Sequence, residues 1–422
     1  MRSRGRGLEF ADPPRSAGRM RCVVFGGGPY VLRLIALMAR ERGLPAIDWT
    51  LVATRPGPLK TVADRARRDM CVTHPEWTVL DTLDPHRALA GADAIIVLVR
   101  VGGLGAREWD ESFPVRHGLI GDEGLGIGGM ANAWRSVPVL DDLARRIRTR
   151  APSAFVFNLS APLGITTRVF LDHDLATVGI CELPQTTRDA FGPRGHGVDL
   201  LDYGGLNHLG WFWPRAAAGH ALLENAVGLG LVERATYDRF GAAPLSYYYD
   251  VYDSEAAMRL GRSRPSGRAQ ALAQLKEGIH HALLNQPAAV AGRIEERPTP
   301  WFEHALVPAL AAALRREPHE MFGNLANPTS WAGLPAPAVV EHRLRTDTGL
   351  VIGTPPGAPP PRVAEFLVRI SASEQLLSRA AHQRDQHLLA EAIAAQPLPI
   401  RAARIPEMIT DLMSTPGASG AS

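Results

Sequence analysis

Cys22-Val23-Val24-Phe25-Gly26-Gly27-Gly28-Pro29-Tyr30-Val31 is the stretch that decides the fold. Four apolar residues, two of them β-branched, run straight into three glycines, and a helix-like apolar pattern then covers residues 31–40. A strand that ends in glycines and opens onto a helix is the start of a βαβ unit. Further apolar runs at residues 49–53, 94–99 and 154–158 are interleaved with helix-like segments at 85–90 and 139–150. Strands alternating with helices at this spacing predict an α/β fold with a parallel sheet, a Rossmann-type dinucleotide-binding domain over residues 20–180.

The glycines fall as Gly26-x-Gly28-x-x-Val31, with valine where a third glycine usually stands. Glycine allows a tight turn and lets backbone N–H groups approach a pyrophosphate at a helix N-terminus. Gly26, Gly27 and Gly28 are therefore candidate cofactor residues; a glycine-rich βα turn without a ligand is the competing reading. The end of the second strand normally carries an acid for the ribose hydroxyls, but here it reads Val52-Ala53-Thr54-Arg55. An arginine in place of the acid is the pattern that accommodates a 2′-phosphate, which keeps NADP beside NAD. An exposed loop arginine explains Arg55 equally simply.

A chain of 422 residues suggests two domains that share a core. The formal charge is only +3 and the basic residues are scattered, so no nucleic-acid partner is expected. All the basic residues except Lys60 and Lys276 are arginine, a bias read as genomic composition. Three widely spaced cysteines, Cys22, Cys71 and Cys181, argue against a disulfide framework and for a reducing, cytoplasmic compartment. No apolar run reaches membrane-spanning length, so no membrane partner is expected. Residues 1–19 are basic with no apolar centre, unlike a signal peptide, and are expected to be a disordered tail. Residues 414–422 are expected to be a second one. Helical patterns cover 221–237, 268–285, 303–315 and 363–394, and the proline-rich stretch 355–361 is expected to be a stiff surface connector.

Several blocks carry a resemblance that spans nearly the whole chain. They are Val99-Arg100-Val101-Gly102-Gly103 with Arg107 and Asp110-Glu111, then Gly121-Asp122-Glu123-Gly124-Leu125-Gly126-Ile127-Gly128-Gly129 with Arg135 and Pro138. Phe157-Asn158-Leu159-Ser160-Ala161-Pro162, Val178-Gly179-Ile180-Cys181, Gly205-Leu206-Asn207-His208 and Pro244-Leu245-Ser246-Tyr247 follow in order. Together they resemble glycoside hydrolase family 4, which is NAD-dependent and departs from the two-carboxylate glycosidases. The resemblance implies a Rossmann domain followed by an α/β (α+β) catalytic domain, here residues 181–413, with the active site between them. It also implies NAD, a divalent metal (usually manganese), and a homodimer or homotetramer acting on a small glycoside, often a 6-phosphorylated one.

Residue by residue, Cys181 and His208 match the two metal ligands, a thiolate and an imidazole suited to a borderline metal with positions left open. Tyr247 matches the base. Asn158 falls at the cofactor, and Arg100 and Asn207 at the substrate. Glu182, directly after the cysteine, offers a carboxylate as general acid. The implied chemistry oxidises the sugar at C3, removes the acidified C2 proton, expels the aglycone, adds water and reduces the ketone again. Read without the resemblance, a buried free cysteine, a hydrogen-bonded loop histidine and an aromatic packing cluster at Tyr247, Tyr248, Tyr249 and Tyr252 are the ordinary alternatives.

Departures fall on substrate-facing positions. Ala161 replaces an asparagine before Pro162, Asp122-Glu123-Gly124 replaces Gln-Glu-Thr, Pro29 replaces a serine, and Asn324-Leu325-Ala326-Asn327-Pro328 lacks an arginine. An unphosphorylated or specialised glycoside therefore stands beside the 6-phosphosugar. Two other functions remain in view: a sugar oxidoreductase or epimerase that expels no leaving group, and a non-catalytic binder of nucleotide or sugar that acts as a regulator.

Overall fold

The structure, a computed structural model, describes residues 8–9, 18–192, 200–262, 267–327, 330–335, 337–347, 350–353 and 356–414. The first glycine-ended run becomes β2 (Arg19–Gly26), which follows the two-residue β1 (Leu8–Glu9). Successive side chains of β2 face opposite ways. Cys22 and Val24 pack into a core on one side of the sheet, and Val23 and Phe25 into a second core on the other. A strand covered on both faces reads as a continuous apolar run, which is why the pattern is so plain. The other runs become β3 (Ala46–Val52), β5 (Ala94–Leu98) and β6 (Phe155–Asn158), with β4 (Thr78–Thr82) and β7 (Thr177–Gly179) completing the parallel part.

These six strands lie in the order β4-β3-β2-β5-β6-β7, all parallel. Taken as third, second, first, fourth, fifth and sixth strand, this is the doubly wound nucleotide-binding order, and the direction of winding reverses between β2 and β5. The glycine turn sits at that switch point. The Rossmann expectation holds.

The sheet does not stop there. Past residue 180 the chain adds β8 (Leu201–Leu206), β9 (Leu209–Pro214), β10 (Ala243–Pro244), β11 (His319–Ala326), β12 (Val339–Asp347) and β13 (Leu350–Gly353). They continue the same sheet beyond β7 in the order β11-β12-β8-β9-β10, each pairing antiparallel. The junction is the pairing of Gly179 with Asn324. A Cβ on Gly179 would lie 2.6 Å from Thr167 Oγ1 and 2.9 Å from the Asn324 Cβ, so the close approach there needs glycine. Residues 20–180 and 181–413 thus contribute to one sheet.

Several expected elements differ in extent. The helix expected over 139–150 begins earlier, as Gly126–Arg150, and runs through Pro138. The stretch 221–237 is two helices, Ala217–Gly228 and Arg234–Phe240, separated by a turn at Gly230 with φ +70°. The stretch 363–394 is also two, Pro361–Gln383 and Gln386–Ala395. It breaks at Arg384, φ 54°, before Asp385 caps the second helix through the backbone N–H groups of His387 and Leu388. Part of the expected N-terminal tail is ordered: Leu8 and Glu9 pair with Val351 and Leu350, and Arg19 already belongs to β2. Residues 1–7, 10–17 and 415–422, Pro328 and Pro355 lie outside the described residues. Pro361, placed in the connector, opens a helix instead, a position where proline is well tolerated. Among the described residues, no helix is long and apolar enough to cross a membrane.

Glu374, on the helix Pro361–Gln383, turns its carboxylate to within 3.8 Å of a Cβ position on Gly164. Burial pushes its pKa from 4.5 up to about 8. The folded chain therefore holds this proton more tightly than the unfolded one. This group's contribution to stability falls as pH rises from about 4.5 to 8 and is constant above that. Chemical denaturation across this range should show the Glu374→Gln variant gaining stability relative to the unmodified protein as pH rises, with the gap levelling off near pH 8.

Candidate active site

The site is built where the antiparallel strands meet the parallel ones. Cys181 lies two residues beyond the end of β7 and is buried. Asn207 and His208 form the two-residue turn of the β8–β9 hairpin, closed by the Leu206–Leu209 pair. His208 has φ +62°, a left-handed backbone costly for a residue with a Cβ and usually kept where the surroundings demand it. Its ring stacks on Tyr247, with centroids 4.2 Å apart at 23°. Tyr247 is half-buried and enters from the first turn of the helix Ser246–Tyr252.

The thiol and the hairpin are linked through Asn207. The Asn207 side chain favours the ionised form of the Cys181 thiol, and its Nδ2 donates to Glu341 Oε1 at 3.0 Å. Glu341, fully buried on β12, also accepts from Tyr203 Oη at 2.5 Å and from Asn324 Nδ2 at 2.8 Å. Burial raises its carboxyl to about 7, although all three hydrogen bonds favour the charged form. Burial, then Glu341 and Glu182, push the Cys181 thiol well above its ordinary value. Burial also raises Glu182, opposed by its own backbone N–H and by His304. The neutral form of Glu182 is thereby favoured, as a proton donor requires.

A second set of charges lines the glycine-rich loop. Gly124 approaches His208 so closely that a Cβ on it would lie 3.6 Å from Nδ1. Its neighbour Glu123 pairs with Arg100 at 3.0 Å and with Arg107 at 2.7 Å. Arg100, expected at the substrate, is therefore joined to the loop that touches the metal-ligand candidate. Beneath it, Asp110 and Arg135 form a buried ion pair at 2.5 Å. Gly128 lets the following helix seat against them, since a Cβ there would lie 2.2 Å from the Asp110 carbonyl oxygen.

The structure brings Cys181, Glu182, Asn207, His208 and Tyr247 into one neighbourhood, with Arg100 reached through Glu123. Gly26, Gly27 and Gly28 lie at the switch point with φ values of 83°, 79° and 53°. A Cβ on Gly26 would lie 2.6 Å from the Leu98 carbonyl oxygen, so the turn depends on glycine. Arg55 is exposed at the end of β3. Asn158 does not fit its expected place: it is fully buried, donating to Thr166 and Thr167 at 2.9 and 3.0 Å and accepting from Ser160 N–H at 3.1 Å. Its amide braces the turn after β6 and is fully engaged without a ligand.

The other three tyrosines of the cluster are engaged elsewhere. Tyr248 is buried among aromatic rings, Tyr249 Oη accepts from the Glu233 N–H, and Tyr252 Oη donates to Gln396. Among the described residues, no three or more His, Cys, Asp or Glu side chains converge as a complete protein metal site would require. Cys181 and His208, a sulfur and an imidazole donor, are the types that suit a borderline divalent cation.

Residues 21–192 match the profile of the family 4 glycosyl hydrolases, and residues 203–399 that of the family 4 glycosyl hydrolase C-terminal domain. The chain belongs to family 4 of the glycosyl hydrolases. It is 25% identical over 378 residues to a 6-phospho-beta-glucosidase of Escherichia coli, covering 82% of this chain and 83% of that one. A phospho-alpha-glucosidase of Clostridium acetobutylicum is 33% identical over 201 residues, 45% of each chain. The fold matches the 6-phospho-beta glucosidase of Thermotoga maritima solved with manganese, NAD+ and glucose-6-phosphate. That match has a TM-score of 0.77 and 21% identity, covering 94% of this chain and 98% of the other. A 6-phospho-alpha-glucosidase from gut microorganisms, solved with NAD and Mn2+, matches with a TM-score of 0.77 and 20% identity, covering 94% and 97%.

Glu341, which accepts from Asn207 beside the candidate site, is a residue that sequence reasoning passed over. The sequence gives little signal for Glu341, which follows Val339-Val340 in a strand that also carries His342, Arg343, Arg345 and Asp347. Glu341→Leu leaves the Tyr203, Asn207 and Asn324 donors without their buried acceptor. The expected loss is on the order of 3–5 kcal/mol in urea unfolding, with Glu341→Gln costing clearly less.

Proposed function

We propose that this family 4 glycosyl hydrolase cleaves its glycoside with a nicotinamide dinucleotide and a divalent metal, by oxidation and elimination rather than by direct displacement. Cys181 and His208 would hold the metal, and Gly26, Gly27 and Gly28 would receive the dinucleotide pyrophosphate. The observation that carries this reading is the stacking of His208 on Tyr247 at a hairpin turn whose Asn207 shares the Glu341 carboxylate with Asn324, the partner of the β7 end that precedes Cys181. Residues 20–180 would carry the cofactor and residues 181–413 most of the substrate contacts, on the single sheet they share.

When bound, the dinucleotide would supply reversible oxidation at C3 of the sugar, and the metal would supply positive charge that makes the C2 proton removable. Tyr247, held flat against His208, takes that proton. Glu182, whose carboxyl pKa burial pushes above its ordinary value, delivers a proton to the departing oxygen at C1. Water then adds at C1 and Tyr247 returns a proton to C2. Asn207 holds the thiol in place, and Arg100 provides a partly exposed guanidinium for an anionic or hydroxyl-rich substrate group. The relatives' names make a 6-phosphoglycoside the first substrate to try.

The test is incubation with the dinucleotide, Mn2+ and nitrophenyl glycosides, with and without a 6-phosphate, in deuterated water. Aglycone release with deuterium at C2, abolished by a chelator and reduced at least about a hundredfold by Cys181→Ser, is the expected result. Release without deuterium, or release that survives both chelator and Cys181→Ser, would overturn the mechanism. Cobalt supplies a second readout: a thiolate charge-transfer band should appear on titration and be missing in Cys181→Ser.

A further inference from the structure

The glycine turn is covered by a helix from the far half of the chain. The helix Arg268–Asn285 packs against the turn Gly28–Tyr30 and against the helices Pro56–Thr73 and Gly103–Ser112. Lys276 comes down from it onto the turn: a Cβ on Gly28 would lie 3.5 Å from its Cε and 3.8 Å from its Nζ. Arg55 stands three residues past the end of β3, at the N-terminus of the helix Pro56–Thr73 on which the Lys276 helix packs. His280 lies one helical turn beyond Lys276, on the same face.

These side chains feel one another's charge. Burial lowers the Lys276 pKa, and Arg55 and Arg100 lower it further. Burial lowers His280, followed by Lys276 and Arg55. Among the described residues, no carboxylate acts on either group to offset this. Positive charge gathered around a turn that admits a pyrophosphate is costly unless an anion joins it. The β3 end offers Ala53, Thr54 and Arg55, none of which can accept hydrogen bonds from ribose hydroxyls as a carboxylate does.

We infer that Arg55, Lys276 and His280 form a phosphate clamp at the adenosine end of the dinucleotide site, and that this chain prefers the 2′-phosphorylated dinucleotide, NADP, over NAD. The inference rests on the nicotinamide reading proposed above and sharpens it. A 2′-phosphate brings close to two negative charges and three acceptor oxygens to the end of β3, where an arginine can meet it in bidentate fashion. The clamp is assembled from both halves of the chain. Lys276 lies more than two hundred residues beyond Arg55, so the sequence around the glycine turn reveals only one member of it.

The test is fluorescence titration of the full-length protein with NADPH and NADH in the absence of substrate. NADPH should bind at least about tenfold more tightly. Arg55→Ala and Lys276→Ala should each weaken NADPH by about tenfold or more while changing NADH by no more than about twofold. Thermal unfolding of each variant confirms that it is folded. NADH binding as tightly as NADPH, or tighter, overturns the inference. So does an equal loss for both nucleotides in Lys276→Ala and Arg55→Ala, which would place the clamp on the shared pyrophosphate alone. Failure of either nucleotide to bind the unmodified protein overturns the broader nicotinamide reading instead.

Discussion

The contact on which the molecule depends is the pairing of Gly179 with Asn324. It is where six parallel strands give way to an antiparallel extension, and it tolerates no side chain on the β7 residue. The same asparagine sends its amide to Glu341, and Cys181 follows Gly179 by two residues. One close approach therefore joins the halves of the sheet and fixes the position of the thiol. A protein assembled from two separate sheets would need an interdomain interface to achieve this; here backbone hydrogen bonding does it directly.

Around that junction the protein concentrates buried charge. Glu341 and Glu182 lie near the thiol, and Asp110 with Arg135 and Glu123 with Arg100 and Arg107 lie beneath the glycine-rich loop. Such groups are expensive to bury unless each has partners, and these are held by opposite charges or by several donors. The network gives the loop around Gly124 little freedom, which keeps it against His208.

The parallel strands were legible because both of their faces are buried, so β2, β3, β5 and β6 appear as unbroken apolar runs. The strand β4 and the helix Pro56–Thr73 were not, since the helix is rich in arginine and aspartate and opens on Pro56-Gly57-Pro58. The antiparallel extension left little trace: β8 and β9 carry glycines and tryptophans that fit tight aromatic packing rather than a simple period. Cys181, His208 and Tyr247 emerged from motif resemblance and not from spacing, because they lie on three elements that only the fold brings together. Asn158 shows the converse. Its strand end was placed correctly, but a conspicuous amide beside a turn proved to be internal bracing.

The face-to-face contact of His208 and Tyr247 couples a hairpin tip to a separate helix. The imidazole belongs to a hairpin tip held in an unfavourable backbone conformation, and the phenol rests upon it. A substitution in that hairpin therefore alters the surface on which the phenol rests, although Tyr247 belongs to another element.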